Sequence, residues 1–218
     1  MNTQIIGIAG RMGHGKDTIA KYFNRHPAFK GHCEIRHFAD PIKHVANYLM
    51  DIPFEDMSTV EGKRQMWDYG LTVREILQKI GTEMFRDQIS DNFWVDYMDR
   101  KVSQSDKKVV FIPDTRFANE VEWIKSRGGI IIKVVDPGKE PEVKQVRPQL
   151  TSLDKIKRFF GISTEEVITE HRSESYIDDI CWDIWVSNEE GLNELYWKLE
   201  EQVLPYLCDE LAEKGFFN

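Results

Sequence analysis

GIAGRMGHGKDT, residues 7–18, is the stretch whose reading decides the fold. It follows an apolar run, QIIGIA at 4–9, and opens a helical pattern over 17–24. Gly10, Gly15 and Lys16 satisfy the spacing G-x-x-x-x-G-K, which makes a phosphate-binding loop when a strand precedes it and a helix follows. Glycines let the backbone curl so that successive N–H groups point inward at phosphate oxygens. The helix N-terminus adds a favourable dipole, and Lys16 supplies a point charge at the β- and γ-phosphates. The expected nucleotide-binding set is Gly10, Gly13, His14, Gly15, Lys16, Asp17 and Thr18, with His14 exposed in the loop and without a catalytic role.

Working outward, further apolar runs read as strands: 34–39 (EIRHFA), 109–113 (VVFIP), 130–135 and 182–186 (WDIWV). Three of the runs are nearly continuous, as expected for strands buried on both faces of a parallel sheet. Helical patterns lie between them. One covers 41–50, with Asp40 as N-cap and Pro41 at the first helical position. Others cover 73–89, 93–102 and 119–127, the last stopped by Gly128-Gly129, and a long region over 192–214 is broken near Pro205. Such alternation implies a parallel α/β sheet covered by helices. The segment 51–69 carries no strand and extends the helical part. The charged, proline-bearing segment 137–170 follows a strand end and reads as a lid.

Composition narrows the function classes. The 218 residues carry a formal net charge of −8, which argues against a large nucleic-acid footprint but not against a local pocket for one nucleotide. Cys33, Cys181 and Cys208 are too sparse and too widely spaced for a disulfide framework or a zinc site. The N-terminal run is too short for a signal peptide, and no stretch approaches the roughly 20 apolar residues of a membrane span. The expectation is a cytoplasmic protein whose partners are small-molecule nucleotides, with no membrane role; a homodimer is left open.

The loop departs from the commonest pattern at Asp17, where Ser or Thr usually meets magnesium; Thr18 comes one place later. The G-K-D-T ending resembles the G-K-G-T of adenylate-kinase-like enzymes. Asp17 reads equally well as an acid favoured by the helix dipole. Asp17 and Thr18 are the candidate metal-side residues, reaching the ion directly or through water.

Four further segments carry candidate chemistry. VVFIPDTR (109–116) delivers Asp114 and Arg116 to a strand's carboxyl end, where open α/β sheets place their ligands. Asp114 could hold magnesium through water or accept a hydrogen bond from a substrate, and Arg116 could grip a phosphate bidentately. HFADPIK (37–43) puts Asp40 and Lys43 at the same sheet edge, unless Asp40 is a plain cap. In residues 74–95, Arg74 and Gln78 share a helix face, Arg86 lies further along, and Trp94 is either core or a platform for a base. The lid segment and its flank bring Arg147, Arg158, His171, Arg172 and Glu174; arginines on a closing lid stabilise charge on a transferring phosphoryl group.

Several segments together resemble the deoxynucleoside monophosphate kinases of tailed bacteriophages. They are GHGKDT (13–18), FADPIK (38–43), LQKIGTEMFRDQISDNFWV (77–95), IPDTRFANE (112–120), GGIIIKVVDPG (128–138) and HRSE (171–174). The resemblance implies a P-loop NTPase α/β fold: a five-stranded parallel sheet flanked by helices, a monophosphate-binding helical insert and a lid. In that reading 1–218 is one kinase domain, with core 1–50, 106–136 and 171–218, insert 51–105 and lid 137–170. It implies transfer of the ATP γ-phosphate to a deoxynucleoside monophosphate, with magnesium, in the host cytoplasm if the gene is a phage's. By carry-over, Lys16 cradles the triphosphate and Asp17 sits between donor and acceptor phosphates. Asp114 and Arg116 face the acceptor, joined by Asp40, Lys43, Arg74, Gln78, Arg86 and Trp94. Lys16, Asp17, Arg116 and Arg172 are the catalytic candidates. Residues 51–72 and 139–165 resemble the family least. Two alternatives stand beside this reading: a P-loop kinase of another phosphorylated acceptor, such as dephospho-coenzyme A or phosphomevalonate, and a nucleotide-switched binding protein. The second lacks an N-K-x-D guanine motif here.

Overall fold

The computed structural model describes residues 3–139, 180–189 and 191–216. Five strands, β1 (Gln4–Ala9), β2 (Cys33–Ile35), β3 (Val109–Thr115), β4 (Ile130–Val135) and β5 (Ile184–Ser187), form one parallel sheet. The order is β2-β3-β1-β4-β5, so β1 lies at the centre, paired with β3 from Gln4↔Val109 and with β4 from Ile6↔Ile130. The chain leaves β1 toward one side and returns later to build the other. The loop after β1 therefore sits at a topological switch point, where this class of sheet opens a crevice.

Side chains alternate across the sheet, as a period of two requires. Ile6 and Ile8 of β1, Phe111 of β3 and Ile132 and Val134 of β4 enter one core. Ile5 and Ala9, Val110 and Ile112, and Ile131 enter the other. The first face is covered by α1 (Lys16–Arg25) and by the C-terminal helices α7 (Leu192–Lys198) and α8 (Leu204–Glu213), through Ile19, Phe23, Leu195, Leu207 and Leu211. The second is covered by α5 (Phe93–Ser103) and α6 (Ala118–Ser126), through Trp94, Met98, Val121 and Ile124. A third, smaller core belongs to the helical segment between β2 and β3. It joins α2 (Ala39–Met50) and α4 (Val73–Gln78) through Ala46, Ile52, Met57, Val73, Ile76 and Ile80, and α3 (Val60–Arg64) packs against α4.

Several boundaries differ from expectation, each for a local reason. β2 ends at Ile35 rather than at residue 39, because the chain turns to start α2. Asp40 is not the cap of α2: the N-cap is Phe38, and the amides of Phe38 and Ala39 are taken by the carboxylate of Asp114 at 3.0 and 2.9 Å. β3 runs on to Thr115, and β5 starts at Ile184 rather than 182. The expected helix over 73–89 is α4 followed by a π-helical stretch, Lys79–Arg86. There the indole N–H of Trp94 donates to the Gly81 carbonyl at 2.7 Å, an inserted donor of the kind that perturbs a helical ladder. The C-terminal region does not break at Pro205. A π turn, Leu199–Val203, joins α7 to α8, and Pro205 occupies the first turn of α8, where no intrahelical N–H is needed. The stop after α6 is as expected: Gly128, at φ 70°, donates to Lys125 O, and Gly129 donates to Ile124 O.

Two residues expected near the acceptor prove to be structural. Trp94 is 2% exposed and packs among Phe85, Phe93 and the sheet, so its ring is not a base platform. Arg86 is buried. It donates to Glu120 Oε1 at 2.5 Å and to Asp91 O at 3.0 Å, and its guanidinium lies 4.0 Å from the Phe117 ring centre. Glu120 also accepts from the amides of Arg116 and Phe117 at 2.8 and 3.1 Å. This buried pair fixes the turn from β3 into α6, and with it the backbone of Arg116. Arg86→Leu leaves the Glu120 carboxylate buried without its cation, and the expected cost is about 3–5 kcal/mol. Equilibrium denaturation of the two proteins measures it.

Candidate active site

The carboxyl ends of β1, β2 and β3 and the first turns of α1 and α2 converge on one edge of the sheet. The loop after β1 is held from beneath. Gly10 lies so close to β4 that a Cβ there would sit 2.4 Å from the Val134 carbonyl oxygen, which excludes any side chain. His14 is 1% exposed, contrary to the expectation that it lies on the surface. Its Nδ1 accepts from the amide of Asp136 at 3.3 Å, and its carbonyl accepts from the Asn188 side chain at 3.0 Å. His14 and Asn188 thus tie the loop to the chain just beyond β4 and β5. Gly15 caps α1 at φ 100°, and no side chain caps that helix. The Lys16 ammonium is folded onto its own loop, donating to the carbonyls of Gly10 at 2.6 Å and Arg11 at 2.7 Å.

A charged constellation continues from the loop. His37, at the end of β2, bridges two carboxylates: its Nε2 is 3.1 Å from Asp17 Oδ1 and its Nδ1 is 3.4 Å from Asp40 Oδ2. Burial disfavours the imidazolium, but the bonds to Asp17 and Asp40, reinforced by the field of Asp114, outweigh it and raise the His37 pKa to about 10. The bond from His37 in turn holds the Asp17 carboxyl below the usual range against partial burial. The Asp40 carboxyl is also lowered: burial acts upward on it, and the bond from His37 overcomes that.

Near Asp17 lies a group of cations drawn from the helical segment and from the end of β3. Burial depresses the Lys63 pKa, and the neighbouring charges of Lys43, Arg74 and Arg116 depress it further. Lys63 comes from α3, which starts at a Thr59 cap and packs so tightly that a Cβ on Gly62 would sit 2.4 Å from Asp56 Cα. Arg74 comes from α4, whose start is fixed by a capping box between Thr72 and Glu75. Its Nη2 lies 3.8 Å from Met12 Sδ, so the helical segment touches the loop. The side chains of Lys43 and Lys63 have no hydrogen bond or ion pair within the described residues.

Of the residues singled out in the sequence, Lys16, Asp17, Thr18, Asp40, Lys43, Arg74 and Arg116 are gathered here, with Gln78 half-buried one turn beyond Arg74. Both oxygens of Asp114 accept α2 amides, so its observed work is to anchor α2 to β3. Arg147, Arg158, His171, Arg172, Glu174 and nearly all of the expected lid lie outside the described residues. His37 and Lys63 were not singled out. His37 lies inside the quoted HFADPIK run, and alternation from β2 could have placed it at the sheet edge; Lys63 left no signal, being one lysine in a strandless charged segment. A cavity of about 730 Å³ lined by Gln4, Lys107, Lys108, Lys214 and Phe216 lies at the opposite, amino-terminal edge of the sheet, away from these groups.

Residues 51–147 match the family model for deoxynucleotide monophosphate kinase. A protein of Acanthamoeba polyphaga mimivirus that bears the name deoxynucleotide monophosphate kinase is 31% identical over 149 residues, covering 62% of this chain and 75% of that one. The chain belongs to the deoxynucleotide monophosphate kinase family. A second relative in the deoxynucleotide monophosphate kinase family, the deoxynucleoside-5′-monophosphate kinase of Escherichia phage T5, is 20% identical over 73% of this chain and 91% of its own. Among solved structures, the shikimate kinase of Aquifex aeolicus aligns over 99% of this chain and 100% of its own at a TM-score of 0.46 and 16% identity. The matched span includes residues 51–72, which the sequence reading had expected to resemble the family least, and it contains Lys63, Arg74, Asp114 and Arg116. No helix among the described residues is long and apolar enough to cross a membrane.

The raised pKa of His37 has a testable consequence. Because the folded value of about 10 lies above the ordinary 6.5, the ion pairs stabilise fully below about pH 6.5, and the contribution is lost as pH rises through 10. His37→Asn should flatten this part of the stability–pH curve relative to the unaltered protein, as read by denaturation at a series of pH values. NMR of the imidazole should find it still protonated at pH 8.

Proposed function

We propose that this family member transfers the γ-phosphoryl group of ATP to the 5′-phosphate of a deoxynucleoside monophosphate, releasing ADP and the deoxynucleoside diphosphate. The observation that carries the reading is the closeness of Lys43, Lys63, Arg74 and Arg116 to one another and to Asp17, with Arg74 touching Met12 of the phosphate-binding loop. Four positive charges kept close together, with Lys43, Lys63 and Arg74 outside ion-pair distance of any carboxylate among the described residues, favour a dianion between them. A phosphate monoester supplies that charge, and its position beside the loop puts it next to a γ-phosphate. The names borne by the mimivirus and phage T5 relatives support a deoxynucleoside monophosphate as the molecule that brings it.

Donor binding follows from the loop. The uncapped first turn of α1 offers its amides to the β-phosphate, and Lys16 exchanges the carbonyls of Gly10 and Arg11 for phosphate oxygens. Among the described residues no cluster of three His, Cys, Asp or Glu side chains could hold a metal unaided. The donor set suits magnesium, which keeps several waters and enters on substrate phosphates. Thr18, and Asp17 through water, would hold the ion, which would neutralise charge on the triphosphate.

The chemistry then needs alignment more than acid–base catalysis. An oxygen of the acceptor's 5′-phosphate attacks the γ-phosphorus. The new O–P bond forms as the bond to the β–γ bridging oxygen breaks, and the electron pair leaves on ADP. The attacking phosphate is already ionised, so no general base is required. Lys43, Lys63, Arg74 and Arg116 hold the acceptor in line and offset repulsion between the two anions. Asp17, held by His37, stands between the two phosphate sites.

An ADP-release assay with ATP, magnesium and each of dAMP, dGMP, dCMP and dTMP tests the reading. Turnover that depends on at least one of these acceptors is expected, and its absence with all four would overturn the proposal. Lys63→Ala should raise the KM for the acceptor roughly 10- to 100-fold, the loss of a hydrogen bond to a charged group. The KM for ATP should change little.

A further inference from the structure

We infer that His37 is a positioning residue for phosphoryl transfer: it fixes the carboxylate of Asp17 in the gap between the loop and the group of cations. The inference rests on the kinase reading above and goes beyond it, since His37 has no part in that reading's substrate contacts and acts only through the carboxylates it holds.

Three independently placed elements meet at this imidazole. Asp17 stands in the first turn of α1, Asp40 in the first turn of α2, and His37 on the chain between β2 and α2. The ring uses both nitrogens, one toward each carboxylate, at 3.1 and 3.4 Å. The backbone that carries it is itself pinned on both sides. The Arg36 amide donates to Phe111 O at 3.0 Å, and the amides of Phe38 and Ala39 donate to Asp114. His37 therefore has little freedom to follow Asp17, whereas Asp17, with 65% of its side chain exposed, would otherwise sample several rotamers. The direction of control runs from β3, through Asp114 and the α2 amides, to His37 and then to Asp17.

A carboxylate between two anionic phosphates must be held so that it does not turn onto either of them. The contact of His37 Nε2 with Asp17 Oδ1 does this and leaves the second oxygen, Oδ2, outside it. The sequence feature that drew attention to 112–120, Asp114 beside Arg116, thus acts partly at a distance: Arg116 belongs to the group of cations, while Asp114 sets the residue that sets Asp17.

A double-mutant cycle decides the matter, with kcat and both KM values measured for the single variants His37→Ala and Asp17→Asn and for the double variant. Removing a positioning contact of this kind lowers kcat about 10- to 100-fold. The expected result is a fall in kcat within that range for His37→Ala, less than a threefold change in either KM, and no further fall when His37→Ala is added to Asp17→Asn. His37→Gln, which keeps an N–H donor, should recover most of the lost kcat, and thermal denaturation of each variant shows that the fold is retained. Unchanged kcat in both His37 variants, or losses that simply multiply in the double variant, would overturn the inference and leave the kinase reading intact. Full kcat in Asp17→Asn would also overturn it. Loss of acceptor-dependent turnover in the unaltered enzyme is the separate result that would remove the kinase reading itself.

Discussion

The carboxylate of Asp114 at the end of β3 is the contact on which the rest of the active edge depends. By accepting the amides of Phe38 and Ala39 it starts α2 without a side-chain cap from its own strand and joins the outer strand pair to the helical segment. A carboxylate that accepts two amides forms charge-assisted bonds, stronger than neutral ones. Once α2 starts there, Asp40 and Lys43 lie in its first turns, His37 is held at the strand end, and α4 has a surface to pack on. A few residues on, Glu120 does the same for α6 by receiving Arg86 and two amides. Two acids in one short stretch of chain therefore set the positions of Lys43 and Arg116.

The sheet was legible because its strands obey a simple rule. Strands covered on both faces must be apolar at nearly every position, and the runs at 4–9, 109–113 and 130–135 show this, with Gln4 and Lys133 the exceptions. The loop was legible because a strand, a glycine-rich turn and a helix in that order leave few alternatives. What escaped depends on contacts distant in sequence. Trp94 and Arg86 stand in a segment that resembles a nucleotide site, yet the indole N–H found Gly81 and the guanidinium found Glu120, each buried. His14 read as an exposed loop residue because nothing local signals that the amide of Asp136 waits beneath it. Lys63 was invisible for the opposite reason. Its distinction is the company of Lys43, Arg74 and Arg116, which come from three other elements.

The family match falls on 51–147, the helical segment after α2 together with α5, β3, α6 and β4, and not on the phosphate-binding loop. That division agrees with the physics of the site. A loop that binds triphosphate amides-first can serve many acceptors, because its contacts are to backbone and phosphate. The part that distinguishes one such enzyme from another is the surface presented to the acceptor; in the proposed site α3, α4 and the end of β3 lie within the matched span, and α2 lies just before it.

The helical segment keeps a hydrophobic core of its own, and the seam between this core and the larger one is narrow. Only Ile42 and Phe85 are shared by both among the described residues, with Gly81 giving Ile42 room to enter: a Cβ there would sit 2.8 Å from Ile42 Cδ1. A small core joined to a large one by so few side chains is a separate cooperative unit in the sense of native-state hydrogen exchange. Its amides should open at a lower free energy than those of the central strands. The acceptor side of the site would then loosen without the sheet, and the strength of the Ile42–Phe85 seam would set how often it does.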